Sequence, residues 1–233
     1  MDNPKIQLFL LPFAGGNSAS FHRLTEHLDP CIETICVEYA GRLSRRKEAY
    51  ITKYKEFLKD TAAFINVRRK KLPFALLGYS LGSVLVYDLI VNQMLYGEAD
   101  HCFICSRGDL KDENISQEYR DLSDKEFVQK MKELGGFDEK ILENRRFLKI
   151  YMEPVRMDYL VWSDYRYIEQ GRKIPCNTTV IYSSQDPLSA GAHEWKSLVS
   201  AETDFYELGE NHFFINQYYK EMAELIHQHL IYR

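Results

Sequence analysis

The chain has 233 residues, long enough for one sizeable core or two small ones, and its 45% hydrophobic and 27% charged residues exclude a disordered polymer. A formal net charge of −4 gives no nucleic-acid surface, and no apolar stretch reaches the ~18 residues of a membrane span. Five cysteines, an odd number with no disulfide framework, fit a reducing cytoplasm, and "MDNPKIQLFLLPF" has no signal-peptide pattern.

In chain order, "IQLFLLPF" (6–13), "ETICVEY" (33–39), "PFALLGY" (73–79), "HCFICS" (101–106), "NTTVIYSS" (177–184) and "TDFYEL" (203–208) are predicted strands, rich in β-branched and aromatic residues. Between them, 18–28, 50–70, 81–96, 189–200 and 213–230 carry apolar residues at helical spacing. This alternation predicts one α/β domain over 1–233, a mostly parallel sheet with helices on both faces. From about 107 to 171 the strands stop. "LSDKEFVQKMKEL" predicts a helix capped by Ser123 with Glu126, and more helix follows "GGF". The 107–171 block reads as an insertion that either packs peripherally or serves as a lid over the strand ends.

Gly78-Tyr79-Ser80-Leu81-Gly82 stands where a strand meets a helix. A sharp strand-to-helix turn brings backbone segments together, so glycines on either side remove clashing Cβ atoms while the serine hydroxyl projects above the sheet. The Leu81 N–H at the helix start faces the same space, where negative charge is favoured. A serine nucleophile needs a base and an orienting acid. Asp186 follows the strand "TTVIYSS", with Pro187 stiffening its loop, and His212 follows "FYELGEN". The other histidines lie in helices or at a strand start. Asp204 at a strand start and Asp158 and Asp164 in the insertion are weaker acids for the role. A second oxyanion donor is expected from the glycine loop "LLPFAGGNSASF", with the Ala14 N–H favoured and Phe13 the alternative; the same glycines also fit a turn before a helix capped by Asn17 or Ser18.

These segments together resemble the type II thioesterases, stand-alone α/β-hydrolases that accompany polyketide and non-ribosomal peptide synthases. The resemblance covers nearly the whole chain. "EYAGRLSRR" is similar to the family's P-G-R loop with Ala40 for proline, and "LGYSLGS" to its nucleophile motif with Tyr79 for histidine. The insertion keeps Gly135, Gly136, Pro154, Arg156, Asp158 and Tyr165, while Phe137-Asp138 and Asn211 depart from the pattern. The resemblance implies hydrolysis of acyl thioesters on the phosphopantetheine arm of acyl or peptidyl carrier proteins. Ser80, His212 and Asp186 would form the triad and the Leu81 and Ala14 amides the oxyanion hole. It implies no metal and no dissociable cofactor, since the phosphopantetheine belongs to the substrate's carrier; a monomer is expected. Phe13, Tyr79, Tyr151, Met152, Tyr159 and Trp162 are candidates to line an acyl pocket under the lid, the insertion residues equally able only to pack it. A generic esterase or acyltransferase of the same fold is the alternative, and a non-catalytic carrier-binding protein the alternative of another class. Cys102 and Cys105 read as buried structural thiols. Arg68-Arg69-Lys70-Lys71 reads as a solvated helix end, with contact to an acidic carrier as the alternative, and Arg45-Arg46-Lys47 is read the same way.

Overall fold

The structure, a computed structural model, describes residues 4–111, 122–135, 145–169 and 171–232, with the side chains of 124 and 145–150 outside the description. Gly136, Phe137 and Asp138 lie outside the described residues. Six strands form one sheet: β1 (Ile6–Leu11), β2 (Ile32–Cys36), β3 (Phe74–Tyr79), β4 (His101–Cys105), β5 (Asn177–Tyr182) and β6 (Thr203–Glu207). Their spatial order is β2-β1-β3-β4-β5-β6 and every pair is parallel. β1, β3 and β4 are buried along their whole length, which explains their unbroken apolar runs. Edge strand β6 is half-exposed and mixed in composition.

Helices cover both faces. α2 (Tyr54–Arg68) and α3 (Leu81–Val91) pack with Phe9, Leu76, Ile104 and Val180 on one side. α1 (His22–Thr25) and α6 (Tyr219–Leu230) pack with Leu8, Leu77 and Phe103 on the other. Between β4 and β5 lie α4 (Asp124–Glu133) and α5 (Arg145–Asp164), which runs through Pro154. α4 starts as its sequence dictates: the Ser123 N–H donates to Glu126 Oε2 at 2.9 Å and Ser123 Oγ accepts from the Glu126 N–H. Phe127, Met131, Met152, Val155, Tyr159 and Trp162 of these helices join the core of the α2–α3 side.

The helical periodicity overruns in several places. Residues 18–28 divide into a 3₁₀ turn (Ser18–Phe21), capped by Asn17, and the single turn of α1. α3 stops at Val91, where the Asn92 side chain bonds the Asp88 carbonyl and Gln93 takes φ +54°. The 189–200 segment is 3₁₀ over Ala192–Leu198, entered through left-handed Gly191. Spacing of three to four fits either helix type.

The strand order reverses direction between β1 and β3. In such sheets the carboxyl ends at the reversal frame a crevice, and here they lead into the Phe13–Gly16 loop and the Ser80 turn. This is the parallel α/β sheet that the alternation of elements predicts, and the α/β-hydrolase arrangement that the resemblance implies.

Candidate active site

β3 ends at Tyr79 and α3 begins at Leu81, so Ser80 alone makes the turn, with φ +54° and ψ −110°. Two contacts explain why glycine flanks it. A Cβ on Gly78 would sit 2.4 Å from the Gly82 carbonyl oxygen, and one on Gly82 would sit 2.1 Å from the Leu11 carbonyl oxygen. Both neighbours are backbone and cannot swing aside. The turn is further anchored by the Ser80 N–H, which donates to the Cys105 carbonyl of β4 at 2.8 Å.

His212, in the loop after β6, places Nε2 3.1 Å from Ser80 Oγ. Its Nδ1 lies 2.8 Å from Asp186 Oδ2, in the loop after β5. All three are buried. Burial pushes the Asp186 carboxyl up, but the hydrogen bond and charge of His212, with the hydroxyls of Ser189 and Ser106, outweigh it and hold the group below its ordinary range. Asp186 is therefore an anion at neutral pH, able to orient His212 and stabilise an imidazolium. Asp158 and Asp164 bond elsewhere: Asp158 takes the Gly15 N–H at 2.7 Å and pairs with Arg42, and Asp164 takes the Tyr54 N–H at 3.0 Å.

Sequence reading missed the hydroxyls around the acid. Ser106, just past β4 at φ +52°, donates to Asp186 Oδ2 at 2.7 Å or to the His212 carbonyl at 2.8 Å, and its Oγ is 2.9 Å from His212 Nδ1. Ser189 donates to the same Oδ2 at 2.7 Å, and the Leu188 N–H to Oδ1 at 2.9 Å. The only available signal was a serine ending the strand beside the nucleophile strand. Arg42 and Asp158 were visible as residues but not as a buried pair.

In the glycine loop, the Gly15 N–H is taken by Asp158 and the Gly16 N–H by the Phe13 carbonyl at 2.8 Å. Phe13 and Ala14 carry the remaining N–H groups of the turn, and Leu81, first residue of α3, has an N–H with no intrahelical acceptor.

The aromatic candidates are more enclosed than expected. Tyr79 is fully buried; its hydroxyl donates to the His212 carbonyl at 2.7 Å and its ring packs edge-on to Phe13 at 5.8 Å. It therefore braces the histidine loop and does not wall an open pocket. Phe13 also meets Phe213 edge-on at 5.0 Å. Tyr159 stacks tilted on Trp162 at 5.5 Å, and both, with Met152, are buried in the core, while Tyr151 is half-buried. Cys102 and Cys105 face opposite sides of β4, in different cores, so they cannot share an ion.

A family model described as "Thioesterase domain" matches residues 6–230. Thioesterase PikA5 of Streptomyces venezuelae is 25% identical, over 98% of this chain and 82% of its own. Gramicidin S biosynthesis protein GrsT of Aneurinibacillus migulanus is also 25% identical, over 95% and 88%. Among solved structures, ClbQ from the colibactin NRPS/PKS pathway superposes with a TM-score of 0.85 at 19% identity, covering 98% of this chain and 97% of that one. The family match runs from the first strand to the last helix, so it describes the whole domain and not a shared turn: the chain belongs to the thioesterase family, hydrolases of thioester bonds.

Proposed function

We propose that the chain releases acyl groups from the phosphopantetheine arm of acyl or peptidyl carrier proteins in polyketide or non-ribosomal peptide synthesis. The observation that carries this reading is the relay from Ser80 through His212 to Asp186, at 3.1 and 2.8 Å, in a chain of the thioesterase family. Relatives named for a thioesterase and for gramicidin S biosynthesis support the carrier context.

Ser80 Oγ attacks the thioester carbonyl carbon while His212 Nε2 takes its proton. The Leu81 and Ala14 N–H groups receive the developing oxyanion. The carbon–sulfur bond breaks, and the thiol leaves with the proton from His212. Water then attacks the acyl-serine, His212 takes one of its protons, and the acid departs as Ser80 is reprotonated. Asp186 holds the imidazole throughout. The helices between β4 and β5 act as a lid over the acyl chain.

The test is a panel of acyl groups loaded on carrier proteins, with release rates compared between wild type and Ser80→Ala. Release by wild type, lost in the variant, and faster than hydrolysis of matched oxygen esters is the expected result. A preference for small oxygen esters would replace this reading with a general esterase. Equal behaviour of wild type and variant would remove catalysis altogether.

A further inference from the structure

The loop that carries Ala14 is held from outside its own segment. Phe13 and Ala14 share one peptide plane, and in a trans peptide the N–H points opposite to the C=O. The Gly16 N–H fixes that plane by donating to the Phe13 carbonyl at 2.8 Å. The next plane, Ala14–Gly15, is fixed by the Gly15 N–H, which donates to Asp158 Oδ2 at 2.7 Å. Asp158 belongs to the middle of α5. Its other oxygen pairs with Nη2 of Arg42, which also reaches the Pro154 carbonyl at 3.4 Å. Both charged side chains are buried, and the Arg42 Nε and Nη1 make no further hydrogen bond among the described residues. The contact is close: Gly15 has φ +80°, and a Cβ there would lie 2.2 Å from Val155 Cγ2. The loop is glycine at this position so that α5 can lie directly against it. On the other side, the Tyr39 hydroxyl donates to the Pro12 carbonyl at 2.9 Å, and the Arg42 guanidinium lies over the Tyr39 ring at 5.2 Å.

The geometry points to Asp158 as a positioning residue that, from α5, sets the Ala14 N–H for the oxyanion. This rests on the reading of Ala14 as an oxyanion donor. The helix that covers the reacting acyl group thereby also completes the machinery that stabilises its transition state. With α5 docked, both peptide planes flanking Ala14 are fixed. With α5 displaced, the Ala14–Gly15 plane loses its partner, the Gly16 N–H that follows it is no longer held against the Phe13 carbonyl, and the Phe13–Ala14 plane that carries the donor can then rotate off the developing charge. Only the transition state carries that charge, so the effect falls on kcat and not on KM.

The experiment compares two charge-free double variants of the full chain. Asp158→Asn with Arg42→Gln keeps an oxygen to accept the Gly15 N–H. Asp158→Leu with Arg42→Met keeps the volume and removes the acceptor. Two readouts are taken: steady-state hydrolysis of a simple acyl thioester, and the rate at which a fluorophosphonate labels Ser80, which needs an oxyanion hole but no thioester. The leucine pair is expected to lose about 10- to 100-fold in kcat, with KM within about 3-fold, and to label more slowly in proportion. The asparagine pair is expected to recover most of that loss. Equal kcat and equal labelling in the two pairs would overturn the inference and leave Asp158 a packing residue. Should the leucine pair not fold, Asp158→Asn against Asp158→Ala carries the same comparison, since both leave Arg42 unpaired and differ in the acceptor. Absence of wild-type thioester turnover while labelling proceeds would instead count against the proposed function, and the labelling rates would still decide the role of Asp158.

Discussion

Ser80 is held in a backbone conformation that costs on the order of 1–3 kcal/mol for a residue with a Cβ, and its surroundings over-determine it. Asp186 shows the same density of support, with Oδ2 accepting from His212, Ser189 and Ser106. A hydrogen bond to a charged acceptor contributes about 1.5–3 kcal/mol. Ser106→Ala therefore should lower kcat about 10-fold and the melting temperature by ~3–12 °C, as steady-state kinetics and thermal melts would show. Ser80→Ala should lose at least about 10³-fold in thioester hydrolysis and all fluorophosphonate labelling. The meeting of Ser80, His212 and Asp186 was legible because serine, acid and histidine each follow a strand, in an order that the glycine-flanked turn anticipates. Ser106 was not legible, because its meaning lies in contacts with residues far along the chain. Asp158 was set aside as the triad acid, and nothing in its own segment announces the Gly15 amide.

Among the elements, the β3–turn–α3 unit tolerates little change. Gly82→Ala would drive a Cβ against the Leu11 carbonyl, so a loss of at least ~3 kcal/mol is expected, lowering the melting temperature by ~6–12 °C or abolishing folding. α3 also carries a titrating carboxyl. Burial pushes Asp88 up to about 6, although the Tyr54 hydroxyl donates to it at 2.7 Å. Its folded value thus lies above its unfolded value of 3.8, so the folded state binds the extra proton between them. This carboxyl's contribution is full below the unfolded value and is lost as pH rises to about 6, at up to ~1.4 kcal/mol per pH unit. Asp88→Asn should remove that slope from melting curves taken across pH 4–6. Strands were legible because both faces of the sheet are covered, which writes long apolar runs. The helical spacing of 189–200 did not distinguish an α-helix from the 3₁₀ winding of Ala192–Leu198, because its repeat suits a tighter winding equally well.

At the scale of the molecule, the sheet separates two ends. The Arg68–Lys71 run leads into the start of β3, and six strand residues, ~20 Å, separate it from Ser80. Two of its charges are also engaged at home: Arg69 bonds Gln7 Oε1 at 3.0 Å, and Lys70 pairs with Glu33, while Lys71 is exposed at this far end of the sheet. Lys71→Glu should therefore leave kcat/KM unchanged on carrier-bound and simple thioesters alike. The strand order itself was not written in the sequence; alternation of elements gives the layers, but the reversal between β1 and β3 emerges only from packing. That order bears on how hydrolytic competence arises during synthesis. Ser80, Asp186 and His212 follow β3, β5 and β6, and parallel pairing over such separations is slow. If Ser80, Asp186 and His212 act as proposed, a growing polypeptide displays its serine turn before the loops of the acid and the histidine exist, and cleavage is expected only after the sixth strand has docked.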